Sequence, residues 1–162
     1  MVARKLALPR LHILVVDDDP GCRSSLAELL REDGHEVATA SRGREAVHLV
    51  RGWRRELRRL ELSILDYHVP DLCGLDTFAL LSQELPRLGA IFISGDPRDD
   101  LEARLLAAGA FAFVRKPLDG ARLRRTVGAF CDLLFDDGED FVDSEDAGEN
   151  EGENEGASES ER

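Results

Sequence analysis

Residues 11–20 read Leu-His-Ile-Leu-Val-Val-Asp-Asp-Asp-Pro: an aliphatic run that ends on three carboxylates and a proline. An apolar run of this length, interrupted only by His12, is the pattern of a strand buried on both faces, and a proline just after it suits the first turn of a helix. Three similar runs follow at 62–65, 90–93 and 110–114, and a weaker strand at 36–39 follows the Asp33-Gly34 turn. Helical patterns over 20–33, 42–60, 74–85, 98–108 and 119–135 separate and follow them. Strand and helix in regular alternation predict an α/β fold, a doubly wound parallel sheet with helices on both faces. In the last helix Leu123, Val127, Phe130, Cys131 and Leu134 recur at helical spacing, so one stripe packs on the sheet and closes the core.

The 162 residues suit one domain and a remainder. Of 33 acidic and 21 basic residues, 13 acidic and one basic fall in 136–162, so the body carries 20 of each and the tail accounts for the net charge of −12. A neutral body with an acidic tail argues against nucleic acid, whose phosphates require a cationic surface. No apolar run is long enough to span a membrane and 1–9 does not read as a secretory signal, which predicts a cytoplasmic protein without membrane insertion. Cys22, Cys73 and Cys131 form no close pair and read as reduced, mostly buried thiols. The expected organisation is an arm over 1–10, a domain over 11–135 and a disordered acidic tail over 136–162, where Phe141 and Val142 are the only bulky apolar residues.

In an open parallel sheet, ligand sites lie beyond the carboxyl ends of the strands. Those ends supply Asp17, Asp18 and Asp19, then Asp66, then Ser94, then Lys116 followed by Pro117. Carboxylates gathered at one site repel unless a cation joins them, and a set of hard oxygens favours Mg2+. Asp17, Asp18 and Asp66 are the expected ligands, and His68 can add its backbone carbonyl. Ser94 and Lys116 then suit the oxygens of a transferred phosphoryl group, with Asp66 as the nucleophile that becomes an acyl phosphate. Only two of the 21 basic residues are lysines, Lys5 and Lys116. A compact ammonium suits a crowded phosphate site better than a planar guanidinium.

Four pieces in this order, Ile-Leu-Val-Val-Asp-Asp-Asp-Pro (13–20), Leu-Asp-Tyr-His-Val-Pro-Asp-Leu-Cys-Gly (65–74), Ile-Ser-Gly-Asp (93–96) and Gly-Ala-Phe-Ala-Phe-Val-Arg-Lys-Pro-Leu (109–118), resemble the receiver domain of two-component response regulators over about three quarters of the chain. The resemblance implies a flavodoxin-like, CheY-like sheet of order 2-1-3-4-5. It also implies that Asp66 is the phosphoacceptor, Asp17 and Asp18 the metal-binding pair, Ser94 the switch hydroxyl, Lys116 the phosphate-contacting lysine and Phe113 the aromatic switch. A cis Lys116-Pro117 bond is usual in the family. On this reading the chain is a single-domain, non-enzymatic regulator. A sensor histidine kinase or histidine phosphotransfer protein phosphorylates it, and it acts on an unidentified output protein in a phosphorelay; a homodimer is compatible. The rivals are an interaction module that signals without phosphorylation and a Mg2+-dependent phosphatase. The latter lacks a second carboxylate two residues after Asp66, where His68 stands.

Each residue also has a plainer reading. Asp19 caps the first helix or sits beside the metal, Ser94 is a turn residue before Gly95, and Phe113 is core. His12, His35 and His48 show no ligand spacing, whereas His68 is placed to influence water access to Asp66. Over 42–60, Ala46, Val50, Trp53, Leu57 and Leu60 form an apolar seam beside Arg51, Arg54, Arg55 and Arg58. This predicts an extended amphipathic helix, weakened by Gly52 at a cost of about 1 kcal/mol. It either rests on its own domain or docks a partner, and its arginines are a candidate resting place for the acidic tail.

Overall fold

The computed structural model describes residues 9–56 and 58–136. The order is β1 (His12–Val16), α1 (Pro20–Glu32), β2 (Glu36–Ala40), α2 (Gly43–Arg55), β3 (Leu62–Asp66), α3 (Gly74–Glu84), β4 (Gly89–Ser94), α4 (Leu101–Ala107), β5 (Ala112–Arg115) and α5 (Gly120–Asp136). All pairings are parallel and the sheet order is β2-β1-β3-β4-β5, the doubly wound arrangement expected. The expected arm over 1–10 and tail over 136–162 lie outside the described residues except for Pro9, Arg10 and Asp136.

Strand residues feed two cores, one on each face. Leu14, Val16, Leu65 and Phe92 point toward α2, α3 and α4 and meet Val47, Val50, Phe78, Leu81 and Leu105. Ile13, Val15, Ile64, Ile91 and Ile93 point toward α1 and α5 and meet Leu26, Leu30, Leu123, Val127 and Phe130. Residues of opposite parity thus serve opposite faces, which is why these strands read as continuous apolar runs. Gly89 has no room for a side chain, since an added Cβ would lie 2.3 Å from the Phe130 ring.

The helix ends follow local chemistry. Asp19 caps α1 by accepting from the Cys22 N–H at 2.9 Å, with Pro20 in the first turn. Gly34, at φ 94°, turns the chain out of α1 into His35 and β2. The cap of α2 comes from elsewhere: Asp71, in the β3–α3 connection, accepts from the Gly43 and Arg44 N–H groups at 2.9 and 3.0 Å. Burial opposes its ionisation, yet these backbone bonds hold the Asp71 carboxyl below its ordinary range.

Two expectations need correction. The second helix does not extend through 42–60 but ends at Arg55, with the Glu56 N–H directed back to the Gly52 and Arg54 carbonyls. Trp53 and Leu60 both pack against the core, Trp53 from the helix and Leu60 from the connection, so both find partners without a longer helix. Leu57 lies outside the described residues. Arg51 and Arg54 are not an open face, because both bind Glu84 of α3, at 2.8 and 2.9 Å, and hold its carboxyl below its ordinary range. As for the thiols, only Cys131 is buried, while Cys22 and Cys73 are half-buried. No described helix is long and apolar enough to cross a membrane.

His35 is a buried fastener between β1 and the α1–β2 turn. Its Nδ1 accepts from the Leu11 N–H at 3.2 Å, which requires that nitrogen to be unprotonated. Burial lowers its pKa below the ordinary 6.5, against the pull of Asp33. At neutral pH the group is uncharged in both the folded and unfolded chain; as pH falls through 6.5 the unfolded chain takes up the proton first. Stability therefore falls as pH drops below 6.5 and levels off beneath the lowered folded value. His35→Asn, which keeps an acceptor but does not titrate, should flatten this slope in urea unfolding measured between pH 7 and pH 5.

Candidate functional site at the carboxyl ends of the strands

The carboxyl end of β1 presents Asp17, almost fully buried, and the exposed Asp18; β3 ends on buried Asp66. One oxygen of each lies within 4.8 Å of the others. At about that separation two carboxylates repel by roughly 3–4 kcal/mol in a partly screened protein environment, so the site calls for a cation. Lys116, just past β5, answers this: its Nζ lies 2.8 Å from Asp66 Oδ2 and 3.3 Å from Asp17 Oδ2. Burial alone would favour the neutral amine, but the two carboxylates outweigh it and raise the Lys116 pKa above its ordinary value.

The remaining oxygens are held by backbone. Asp66 Oδ1 accepts from the His68 N–H at 3.0 Å, and Asp17 Oδ1 from the Asp19 N–H at 2.9 Å. The Arg23 guanidinium donates to the Asp17 carbonyl at 2.7 Å, tying α1 to the rim. The Cys22 thiol is pushed up to about 12 by burial and by its hydrogen bond to Asp17, so it stays protonated at neutral pH. The donor set fits a small hard cation such as Mg2+, with two buried carboxylates, one exposed carboxylate and an open side for water.

Ser94 is fully buried at the end of β4, in the strand position after the partner of Asp66. Its Oγ accepts from the Asp96 N–H at 3.0 Å. The Lys116 N–H donates to the Ser94 carbonyl at 2.9 Å, and the Lys116-Pro117 bond is cis. Phe113 is buried in the core beneath α2, α3 and α4, with the Arg115 guanidinium 5.7 Å from its ring centre. Asp17, Asp18, Asp66 and Lys116 are thus brought into one cluster, with Ser94 on the adjoining strand end and Phe113 one layer below. Asp19 takes the capping role rather than a place in the cluster. Of the other histidines, His12 lies between Glu36 and Glu61 and His35 is a core fastener, so neither joins the site.

Sequence reasoning missed a latch over this rim. Asp96 binds Arg98 through both carboxylate oxygens and meets His68 Nε2 at 2.9 Å, while Arg115 donates to the Asp96 carbonyl at 2.8 Å. The Arg98 pair, reinforced by its N–H and by His68, holds the Asp96 carboxyl well below the usual carboxylate range. The connections after β3 and β4 are thereby tied to each other through His68, whose backbone N–H also binds Asp66. The only available signal was Asp96 itself, two residues after Ser94.

The sequence profile of the response regulator receiver domain matches residues 13–128. The chain belongs to the response regulator receiver domain family. Among its relatives, an uncharacterised 14.6 kDa protein of Leptolyngbya boryana is 33% identical over 127 residues, covering 76% of this chain and 92% of that protein. The transcriptional regulatory protein PdtaR of Mycobacterium tuberculosis is 35% identical over 113 residues, but this receiver domain spans only 51% of its length. A two-component response regulator of rice is 32% identical over 108 residues, which is 15% of its length. Among solved structures, a CheY-like receiver domain protein of Methanospirillum hungatei matches with a TM-score of 0.71 and 25% identity, covering 80% of this chain and all of that one. A Borrelia burgdorferi CheY in complex with CheX, BeF3 and Mg2+ matches with a TM-score of 0.66 and 25% identity, covering 74% and 87%.

Gly74, the first residue of α3, sets the height of the receiver site. An added Cβ would lie 2.6 Å from the Asp66 carbonyl oxygen and 2.9 Å from the Tyr67 Cα, both backbone atoms that cannot swing aside. Gly74→Ala should cost about 1–3 kcal/mol of stability, measured by urea unfolding, because the end of β3 must shift to make room.

Proposed function

We propose that this receiver domain is a phosphorylation switch in which Asp66 accepts a phosphoryl group from the phosphohistidine of a sensor kinase or phosphotransfer protein. The observation that supports this best is the Lys116 ammonium held between Asp66 and Asp17, beside the exposed Asp18. The relative solved with BeF3 and Mg2+ adds weight, since it shares the fold at 25% identity. Asp17, Asp18 and Asp66, with the His68 backbone carbonyl, would hold Mg2+. The ion would supply charge neutralisation for the incoming phosphoryl oxygens.

An Asp66 carboxylate oxygen attacks phosphorus and a P–O bond forms. The P–N bond to the donor imidazole breaks, its electron pair stays with the ring nitrogen, and a proton from solvent completes the neutral donor histidine. The His68 N–H fixes the orientation of the attacking carboxylate, and Lys116 moves from carboxylate to phosphoryl oxygen as negative charge arrives there. The Ser94 hydroxyl accepts from the Asp96 N–H and keeps its own proton to donate to the phosphoryl group, so a pull on Ser94 is passed to the latch and the start of α4. Phe113, buried beneath this connection, follows as the aromatic switch, and the changed surface presents an output protein with a new face. His68, latched to Asp96 over Asp66, limits water access and so sets the lifetime of the acyl phosphate. The output is a contact rather than turnover.

Incubation with acetyl phosphate and MgCl2 should add one phosphoryl group to the wild-type chain by mass, and none to Asp66→Ala or to wild type in EDTA. Lys116→Ala should take the label yet lose the accompanying conformational change, read as hydrogen exchange across 94–101. His68→Ala should shorten the lifetime of the label. Sustained hydrolysis of small phosphate esters would instead favour the phosphatase reading, and an unlabelled wild type would favour an interaction module.

A further inference from the structure

A second concavity lies at the opposite end of the sheet from Asp66. His12 and Ile13 of β1, Glu36 to Ala38 of β2, Trp53 of α2 and Arg58 to Leu60 of the following connection line a cavity of about 270 Å³. Ala38, Trp53 and Leu60, which pack on the α2 side of the sheet, give it an apolar floor, and Arg58 and Arg59 stand exposed on its rim. The two glutamates nearby are already matched. Glu36 pairs with Arg10 and with His12 Nε2 at 3.1 Å, and Glu61 takes the other His12 nitrogen at 3.2 Å. Arg51 and Arg54 are engaged by Glu84, whereas among the described residues Arg58 meets only Glu56, at 3.7 Å. The cavity therefore offers an apolar seat with a cationic lip.

The chain carries a segment with the matching pattern. Residues 139–143 read Glu-Asp-Phe-Val-Asp, an apolar pair with carboxylates on both sides, in a stretch otherwise rich in Gly, Glu, Asn and Ser. The fold delivers that segment to the correct end. Phe130 of α5 packs where Gly89 begins β4 and against Phe111 just before β5, so α5 runs away from the Asp66 rim and Asp136 lies at the end where β1 and β2 begin. From β4 to β2 is three strand spacings, about 14 Å. Because α5 and Trp53 lie on opposite faces of the sheet, a layer of about 10 Å adds to this and brings the span to about 17 Å; five residues extend to about 17 Å, so a fully extended 137–141 carries Phe141 across.

We propose that Glu139–Asp143 docks in this cavity within the same molecule, Phe141 and Val142 on the Trp53 floor and the flanking carboxylates against Arg58 and Arg59. Tethering makes a weak contact sufficient. At an effective concentration of about 1 mM, a segment affinity of about 0.1 mM keeps it seated roughly nine-tenths of the time. The site then recognises an acid-flanked apolar pair, and a partner displaying one would compete with the chain's own segment. This reading does not depend on phosphorylation of Asp66.

Trp53 is the only tryptophan and lies in the cavity, so its fluorescence reports directly. Acrylamide quenching of the full chain should rise about twofold in the double variant Phe141→Ser/Val142→Ser, in Arg58→Glu/Arg59→Glu, and in 1 M salt, where exposed charge pairing is screened. A synthetic peptide of residues 137–146 added to the Phe141→Ser/Val142→Ser chain should restore protection. The serine variant alters neither core, so unchanged far-UV circular dichroism is expected. Equal quenching in wild type and the serine variant overturns the proposal. Protection that disappears on dilution, with a dimer in sedimentation, overturns its intramolecular form and assigns the occupant to a second copy.

Discussion

An ammonium between two buried carboxylates governs the working end of this molecule. Asp17 and Asp66 arrive on adjacent strands, largely out of water, where their repulsion is poorly screened. Lys116 relieves it through one charge shared between them. Such a balance suits a switch: a second cation or an incoming phosphoryl group changes the charge at a point where the surroundings cannot dilute the effect. The rim is held together by groups that a phosphoryl group would compete for.

Rigid parts set the geometry and hydrogen-bonded connections allow it to respond. The strand ends are fixed by two apolar cores and by Gly74, whose missing side chain lets α3 rest on the Asp66 backbone. The connections above them are held by polar bonds: Asp71 to the start of α2, Ser94 to the Asp96 N–H, Asp96 to His68 and Arg98. Replacing one hydrogen bond by another costs little net free energy, whereas opening a packed core costs several kcal/mol, roughly 2–5 for each large side chain lost. Movement is therefore expected in the connection from Ser94 to α4, with the sheet unchanged.

The two ends of the sheet have different chemistry for a topological reason. Every strand is parallel, so residues leaving strands gather at one end and residues entering them gather at the other. The first end collects acids and a lysine. The second collects His12, Glu36, Glu61 and the arginines after α2, around an apolar cavity. α5 ends on this second side too, so the last described residue, Asp136, lies away from Asp66.

The sequence by itself determined the five strands, the parallel sheet and the residues at its carboxyl rim, because these depend on short-range signals: unbroken apolar runs, a capping Asp19, a turn at Gly34, and acids placed where runs end. It also marked Lys116 by scarcity. The length of α2 was not legible, because an apolar seam continuing past Gly52 looks the same whether Leu60 reaches the core from a helix or from a connection. Asp71 as the cap of α2, Glu84 as the partner of Arg51 and Arg54, the Asp96 latch and the cavity around Trp53 were decided only by tertiary structure. Each joins residues far apart in the chain or in different connections, and no periodicity records which side chains meet once the helices have packed.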